Sequence, residues 1–140
     1  MVTSTRTEVD VWCASLNRTA HEITGLFDIL APDERQRARR FVFEPDGNRF
    51  VVARATLRLI LAHYTGESAR DVTLRTGPRG KPALAGSSAH ARIEFNVAHS
   101  SELAAYAVAR CDVGIDIERV RPLGAVKELL PVFGASGQVA

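Results

Sequence analysis

The segment from Asn48 to Tyr64 constrains the fold of this 140-residue chain more than any other stretch. Apolar side chains recur in it every three or four residues, a spacing that places them along one side of a helix. They are Phe50, Ala53, Leu57, Ile60, Leu61 and Tyr64. Asp46 and Gly47 precede the segment, and Gly66 is typical of a helix end. A long helix with one apolar stripe is stable only when another layer covers that stripe.

The order of the other elements indicates what covers this helix. Before it, the pattern predicts a strand, a helix and the start of a second helix, at Glu8–Leu16, His21–Leu30 and Pro32. After it come a short strand, a glycine- and proline-rich loop and three more strands, at 72–75, 77–84, 92–98, 103–110 and 113–118. Residues 100–102 suit a hairpin turn. Helices grouped between strands favour an α+β fold rather than a doubly wound sheet.

The composition excludes several classes of protein. With 46% hydrophobic and 24% charged residues, the chain matches a globular domain and not a disordered or fibrous one. It has no run of about 18 apolar residues and no apolar signal segment at its start, which predicts a soluble, cytoplasmic protein without a membrane partner. Cys13 and Cys111 are too few for a disulfide framework, and both lie in apolar runs that predict burial.

The basic residues are almost all arginine, 16 against two lysines, Lys81 and Lys127. Arginine binds phosphates and carboxylates through two parallel hydrogen bonds. The densest run, Arg35 to Arg40, spreads its cations around a predicted helix, for which a solvent-exposed face is the simplest explanation. A net charge of +2 and acidic neighbours argue against nucleic acid as a partner.

The hexapeptide VGIDIE at 113–118 is the sharpest candidate for a site. On a strand its apolar residues face the core, whereas Gly114, Asp116 and Glu118 share the opposite face. Two carboxylates roughly 6.6 Å apart can hold Mg²⁺ beside a bulky anion, since Mg²⁺ takes one or two carboxylates together with phosphate oxygens and water. A solvated acidic face is the alternative explanation.

Two further motifs carry groups suited to an anion. In FNVAHS at 95–100, His99 follows an apolar strand and can donate a hydrogen bond to a phosphate from the edge of a sheet. In GPRGKP at 77–82, glycine allows a ligand to approach the backbone and Lys81 supplies a positive charge. A structural histidine and an ordinary loop are the alternatives. Neither a G-x-S-x-G motif nor a P-loop is present.

Taken together and in this order, five features resemble the Sfp-type 4′-phosphopantetheinyl transferases: RRF, Arg49 ahead of the long helix, GKP, FNxxHS and GIDIE. The resemblance runs from about residue 30 to Pro122. It implies one half of an α+β pseudo-dimer, and transfer of the 4′-phosphopantetheine group of coenzyme A to a serine of an acyl or peptidyl carrier protein. Residues 1–122 would form this N-terminal lobe and 123–140 a short divergent tail.

The resemblance also implies roles for single residues. Asp116 and Glu118 correspond to the acids that bind Mg²⁺ against the coenzyme A diphosphate. His99 corresponds to a histidine that contacts a coenzyme A phosphate, and Lys81 to a lysine beside the adenine nucleotide. A ligand with several negative charges needs such spread cations, and displacement at phosphorus needs a metal that neutralises the diphosphate.

Arg37 and Arg49 correspond to basic positions near the ribose 3′-phosphate. Two other positions depart from the family pattern: Ala98 stands where serine is common, and Glu34 stands where a lysine is expected. Both departures predict a weaker contact with phosphate.

The motif W-x-x-K-E-x-x-x-K of the second half, which supplies a general-base glutamate, is absent, so no catalytic residue is assigned. Lys127 and Glu128 imitate it without the tryptophan. We therefore expect a truncated member with little or no activity. One alternative is a homodimer, because the short holo-acyl-carrier-protein synthases build their sites between identical subunits. Another is a non-catalytic fragment that binds coenzyme A or a carrier protein.

Overall fold

The computed structural model describes residues 8–85 and 92–120. They form, in order, β1 (Val9–Ser15), α1 (Ala20–Phe27), α2 (Pro32–Arg39), α3 (Glu44–Thr65), β2 (Leu74–Thr76), β3 (Pro82–Leu84), β4 (Glu94–Ser100) and β5 (Leu103–Ala109). Strands β1, β5 and β4 form an antiparallel sheet in that order, and β2 pairs with β3 in a separate hairpin. This arrangement confirms the α+β class. The tail at 123–140, with Lys127 and Glu128, lies outside the described residues.

The long helix α3 is the centre of the packing. One side of it joins the sheet in the main core of Leu16, Val52, Ala53, Leu57, Ile60, Leu61, Val72, Ala104, Tyr106 and Val108. The helix begins at Glu44 and not at Asn48, because Pro45 suits the first turn, where the backbone needs no donor. Gly66 ends it as predicted, with a φ of 75° that glycine adopts without strain.

The two short helices pack against α3 around a smaller cluster of Leu30, Val51 and Ala55. Helix α1 begins with a capping box: the Glu22 N–H donates to the Thr19 hydroxyl at 3.2 Å, and the Thr19 N–H donates back to the Glu22 carboxylate at 3.3 Å. Helix α2 begins at Pro32, as predicted. These caps fix where each helix enters the layer above the sheet.

Strand β5 lies in the middle of the sheet, and residues 104–109 are each at most 5% exposed. It follows β4 through a two-residue turn, since Ser100 pairs with Leu103, and Ser101 takes a positive φ of 49°. This confirms the predicted hairpin. Strand β4 forms one edge of the described sheet, which places His99 on an edge strand, as expected.

The burial predicted for the cysteines is wrong: Cys13 is exposed and Cys111 is only half-buried. Strand β1 is the other edge of the sheet, and its Ala14 packs into the main core beside α3. Because side chains alternate along a strand, Cys13 lies on the face away from the helices, together with the exposed Val9 and Val11.

Residues 82–84, predicted as part of a loop, form strand β3 instead. Leu84 pairs with Leu74 and Ala83 with Arg75. The pairing is compatible with Pro82 because proline is tolerated as the first residue of a strand. The strand predicted at 72–75 correspondingly begins two residues later, at Leu74.

Residues 113–118, predicted as a strand, form none, and no described segment pairs with them. Their exposure still alternates as predicted, with the three apolar side chains half-buried and Gly114, Asp116 and Glu118 exposed. A strand needs hydrogen bonds from a neighbour, whereas alternation reports only which residues are apolar.

Among the described helices, none combines the length and the apolar character needed to span a bilayer.

Candidate functional site

A cavity of about 230 Å³, called here the basic cleft, lies between α2, α3 and the β2–β3 hairpin. Five arginines and three carboxylates line it: Arg37, Arg54, Arg58, Arg70 and Arg75, with Asp33, Glu34 and Asp71. Arginine guanidinium groups bind phosphate with paired hydrogen bonds. The surplus of positive charge in the cleft therefore suits an anionic ligand.

Glu34 lies beneath this cleft and is only 3% exposed. One oxygen, Oε1, accepts hydrogen bonds from Arg58 Nε at 2.6 Å and from the Ala31 N–H at 2.9 Å. The other, Oε2, accepts from Arg54 Nη1 at 3.1 Å. Arg58 is equally buried and donates Nη1 to the Val72 carbonyl at 2.6 Å. Glu34, where the resemblance implies a lysine, is thus the acceptor that joins α2 to α3.

Phe50 on α3 supports two of the cleft arginines. The guanidinium carbon of Arg37 lies 4.9 Å from the centre of the Phe50 ring, and that of Arg54 lies 5.4 Å from it. Phe41 contacts the same ring with a centre-to-centre distance of 5.6 Å. Cation–π contacts of this kind restrict where the two charges sit. Arg37, predicted from the sequence, therefore has a defined place in the cleft.

The turn of the β2–β3 hairpin closes one wall of the cleft. The Gly77 N–H donates to the Lys81 carbonyl at 2.7 Å, and Gly80 takes a φ of 77°, so glycine is needed in this turn. Gly80 and Pro82 line the cleft, and Lys81 lies between them with its side chain exposed. The predicted lysine thus lies beside the cleft in the hairpin turn, and it is not one of the residues that line it.

His99 lies on β4 opposite Ala104, a residue of the main core, so its side chain is on the sheet face that packs against α3. The His99 side chain is exposed at this edge strand, yet partial desolvation lowers its pKa below the ordinary value of 6.5, and the positive charge of Arg54 lowers it further. His99 is therefore electrostatically linked to a residue of the basic cleft, although it lines neither that cleft nor the cavity described next.

A second cavity, of about 430 Å³, lies at the start of α3 beside the β4–β5 turn. Arg49, Glu118 and Arg119 line it together with residues 100–103 and Ile117. It brings two predicted site residues together, Arg49 and Glu118. Arg49 and Arg37 therefore lie in different cavities, since Arg37 lines the basic cleft.

Residues 112–120 are called here the acidic segment, and they contain the two predicted metal ligands. Both carboxylates are exposed, and Asp116 Oδ1 accepts a hydrogen bond from the next backbone N–H, of Ile117, at 2.9 Å. Within the described residues no group of three or more metal-binding side chains comes together. This donor set fits Mg²⁺ only as a shared site, in which phosphate oxygens and water supply the other ligands.

Comparisons with known proteins agree with this pattern. A family model described as the N-terminal region of 4′-phosphopantetheinyl transferase matches residues 14–111. The chain belongs to this family. The 4′-phosphopantetheinyl transferase HetI of Nostoc sp. is 35% identical over 127 residues, which are 90% of this chain and 54% of HetI. The chain thus spans about half the length of that relative.

Other members are more distant in sequence. The transferase Sfp of Bacillus subtilis is 27% identical over 95 residues, 67% of this chain and 41% of Sfp. A holo-(acyl-carrier-protein) synthase from Bacillus anthracis, solved in complex with CoA (3′,5′-ADP), superimposes with a TM-score of 0.58 at 25% identity. That match covers 72% of this chain and 92% of the synthase.

Sequence reasoning missed Arg54, a side chain of the basic cleft that links Glu34, Phe50 and His99. Arg54 stands within the long helix, outside every recognised motif. The signal that could have found it was a cation inside an otherwise largely apolar helical stretch, which is costly unless it is paired.

Proposed function

We propose that the chain binds coenzyme A through the basic cleft, as the nucleotide-binding part of a 4′-phosphopantetheinyl transferase. The reaction of the whole enzyme would transfer the 4′-phosphopantetheine group to a serine of an acyl or peptidyl carrier protein. The observation that carries this proposal is the basic cleft, whose cations are held by a buried carboxylate and an aromatic ring next to the GKP hairpin. The solved synthase that resembles the chain is itself a complex with CoA (3′,5′-ADP).

In this proposal the nucleotide lies in the basic cleft, with its ribose 3′-phosphate on Arg37 and its adenine beside Lys81. His99 donates a hydrogen bond to a phosphate from the edge strand. The resemblance implies a contact of Arg49 with the ribose 3′-phosphate, but Arg49 lines the cavity that also contains Glu118, so we assign its charge to the diphosphate instead. Each of these groups binds and orients the anion, and none of them removes a proton from the serine.

Asp116 and Glu118 would hold Mg²⁺, whose charge neutralises the diphosphate during displacement at phosphorus. In this proposal residues 1–122 would form the lobe that carries these groups, and residues 123–140 would be a divergent tail. Because the K-E-x-x-x-K motif is absent, we expect the purified 140-residue chain to load a carrier protein slowly or not at all. Its cytoplasmic location stays a prediction.

Titration calorimetry with coenzyme A tests the proposal. We expect binding by the unmodified chain, weaker binding by Lys81→Ala, and unchanged binding by Arg39→Gln, which alters an exposed arginine of α2 that contacts Phe27 instead of the cleft. Binding should strengthen with Mg²⁺ in the unmodified chain but not in Asp116→Asn. The absence of heat with coenzyme A would remove the proposal, whereas binding without loading would fit a non-catalytic module.

A homo-oligomeric synthase is the second candidate, and the size of the structural match favours it. A portion of this chain covers 92% of a solved synthase chain, so one copy is comparable with one subunit. Analytical ultracentrifugation together with a carrier-loading assay tests this candidate. A dimer that loads a carrier protein and loses the activity with Glu128→Ala supports it. An inactive monomer removes it.

A further inference from the structure

The ion-paired cluster beneath the basic cleft carries an unbalanced positive charge. Glu34 contributes one negative charge, whereas Arg54 and Arg58 contribute two positive ones. Arg58 is 3% exposed in its side chain, and its remaining contacts go to backbone carbonyls at 69, 70 and 72. Arg58 is therefore held in the protein interior through Nε and Nη1, whereas Arg54, with a side chain that is 18% exposed, presents its charge to the cleft.

Arg54 has donors to spare and little freedom to move. A guanidinium has five N–H donors, and within the described parts of the chain Glu34 Oε2 is the only acceptor that Arg54 contacts. Its side chain is 18% exposed and lines the cleft. Glu34 holds one end of the guanidinium and the Phe50 ring, at 5.4 Å, supports its face. Donors held in place before a ligand arrives lose little entropy on binding.

We propose that Arg54 binds the ribose 3′-phosphate of the nucleotide together with Arg37, and that Glu34 is the positioning residue that orients Arg54 for this contact. The proposal rests on the function proposed above. Arg37 and Arg54 both line the basic cleft and both contact the Phe50 ring, so an anion bound in the cleft can meet both guanidinium groups.

This assignment gives a physical account of the acid at position 34. The resemblance expects a lysine there and predicts a weakened phosphate contact. In the structure the carboxylate of Glu34 instead fixes a cation that comes from the neighbouring helix α3. The lost charge on α2 is thus replaced by Arg54, and Glu34 contributes to binding although its own charge repels an anion.

Calorimetry with two nucleotides tests the assignment on the full chain. Adenosine 3′,5′-bisphosphate carries the 3′-phosphate and 5′-AMP lacks it, so the ratio of their affinities measures recognition of that group. We expect Arg54→Gln to lower the affinity for the bisphosphate about tenfold or more, the effect of losing a charge-assisted contact, and to change that for 5′-AMP little. Arg54→Lys should fall between, and Arg39→Gln should match the unmodified chain.

The Glu34→Gln variant distinguishes a role of Glu34 in orienting Arg54 from a simple effect of its negative charge. It makes the chain more positive, so an effect of net charge alone predicts tighter binding of the bisphosphate. Loss of the contact that orients Arg54 predicts weaker binding and a smaller ratio between the two nucleotides. Circular dichroism of each variant establishes that it is folded, and Glu34→Asp, which retains the carboxylate, should restore part of the ratio.

The outcomes distinguish this inference from the function on which it rests. If the unmodified chain binds neither nucleotide nor coenzyme A, both fall. If it binds the bisphosphate and Arg54→Gln binds it equally well, only the role of Arg54 is overturned. An equal loss for both nucleotides would overturn the 3′-phosphate assignment, and tighter binding by Glu34→Gln would overturn the positioning role of Glu34.

Discussion

The basic cleft and the acidic segment belong to one proposed site, yet the protein holds them in different ways. In the cleft, Glu34 and Arg58 are each 3% exposed and are joined at 2.6 Å, and helices α2 and α3 form the walls. In the acidic segment, Asp116 and Glu118 are exposed, and no described strand pairs with the backbone that carries them. The central cations of the cleft are anchored to the buried Glu34, whereas the acids of the segment have no buried partner among the described residues.

This difference indicates which part of the site the chain completes alone. A buried ion-paired cluster forms only with the fold, so its geometry is present before a ligand binds. An extended segment without a partner strand gains order from whatever it binds, at an entropic cost. We therefore expect nucleotide binding to depend on the chain alone and metal binding to depend on the nucleotide.

Removing Arg58 should have the largest effect on the cleft. Arg58→Met leaves a buried carboxylate with one fewer partner and releases several backbone carbonyls, which should reduce the free energy of unfolding by about 3–5 kcal/mol. Urea denaturation measures this change. Asp116→Asn, the matched change in the acidic segment, should leave stability unaltered. A loss below about 1 kcal/mol for Arg58→Met, the usual range of exposed pairs, would contradict a structural role for the cluster.

Replacing a glycine at the end of α3 and one in the acidic segment should give a smaller difference in stability. Gly66 ends α3 with a φ of 75°, so Gly66→Ala should cost about 1–2 kcal/mol. A Cβ added at Gly114 would meet no atom within 4 Å, and the φ of Gly114 is not positive, so Gly114→Ala should leave the unfolding midpoint unchanged. Thermal unfolding of both variants checks this. A destabilised Gly114→Ala would mean that the acidic segment is packed.

Local sequence patterns predicted much of the secondary structure. The apolar spacing of α3 and the position of Gly66 located the long helix, and the polar residues 100–102 located the hairpin turn. These features depend on neighbours within a few residues, which a sequence displays directly. The first turn of α3 was not located, because Pro45 is compatible with both a loop and a first helical turn.

Features that depend on distant partners were missed. Strand β1 has apolar residues on both faces, and it was the packing of Ala14 and the hydrogen bond from Trp12 Nε1 to the Tyr64 hydroxyl, at 2.8 Å, that decided which face turned inward. The role of Glu34 depends on Arg54 and Arg58, which are 20 and 24 residues away. A helical pattern of charges cannot report such pairs.

The pKa of His99 tests whether the charge of Arg54 in the basic cleft acts on strand β4. Because its pKa in the folded protein is lowered, mainly by partial desolvation and further by Arg54, the unfolded chain takes up this proton first as the pH falls. The stability contributed by neutral His99 is therefore present above about pH 6.5 and is lost as the pH falls through the lower, folded pKa.

An NMR titration of the imidazole should give a midpoint below 6.5 in the unmodified chain. Arg54→Gln should raise that midpoint without restoring the ordinary value, since partial desolvation remains. An unchanged midpoint in Arg54→Gln would show that the basic cleft does not act on His99. Coenzyme A should bind more tightly as His99 becomes protonated, because a cationic imidazole donates to phosphate.

The smallest effect is expected for the ion pairs at the base of the acidic segment. Arg92 donates to Glu94 and to Asp112, each at 2.8 Å, so by distance these pairs resemble the Glu34 cluster. The Arg92 side chain is 59% exposed and that of Asp112 is 92% exposed, so water and salt screen the attraction.

Arg92→Gln should leave the unfolding midpoint unchanged but speed protease cleavage within 112–120, because a contact that holds the segment to β4 is lost. At about 1 M salt, where the screening length is about 3 Å, the unmodified chain should be cleaved as fast as the variant. If Arg92→Gln destabilised the protein as much as Arg58→Met, the exposed ion pairs would be as strong as the buried one, and burial would not explain the difference between the two regions.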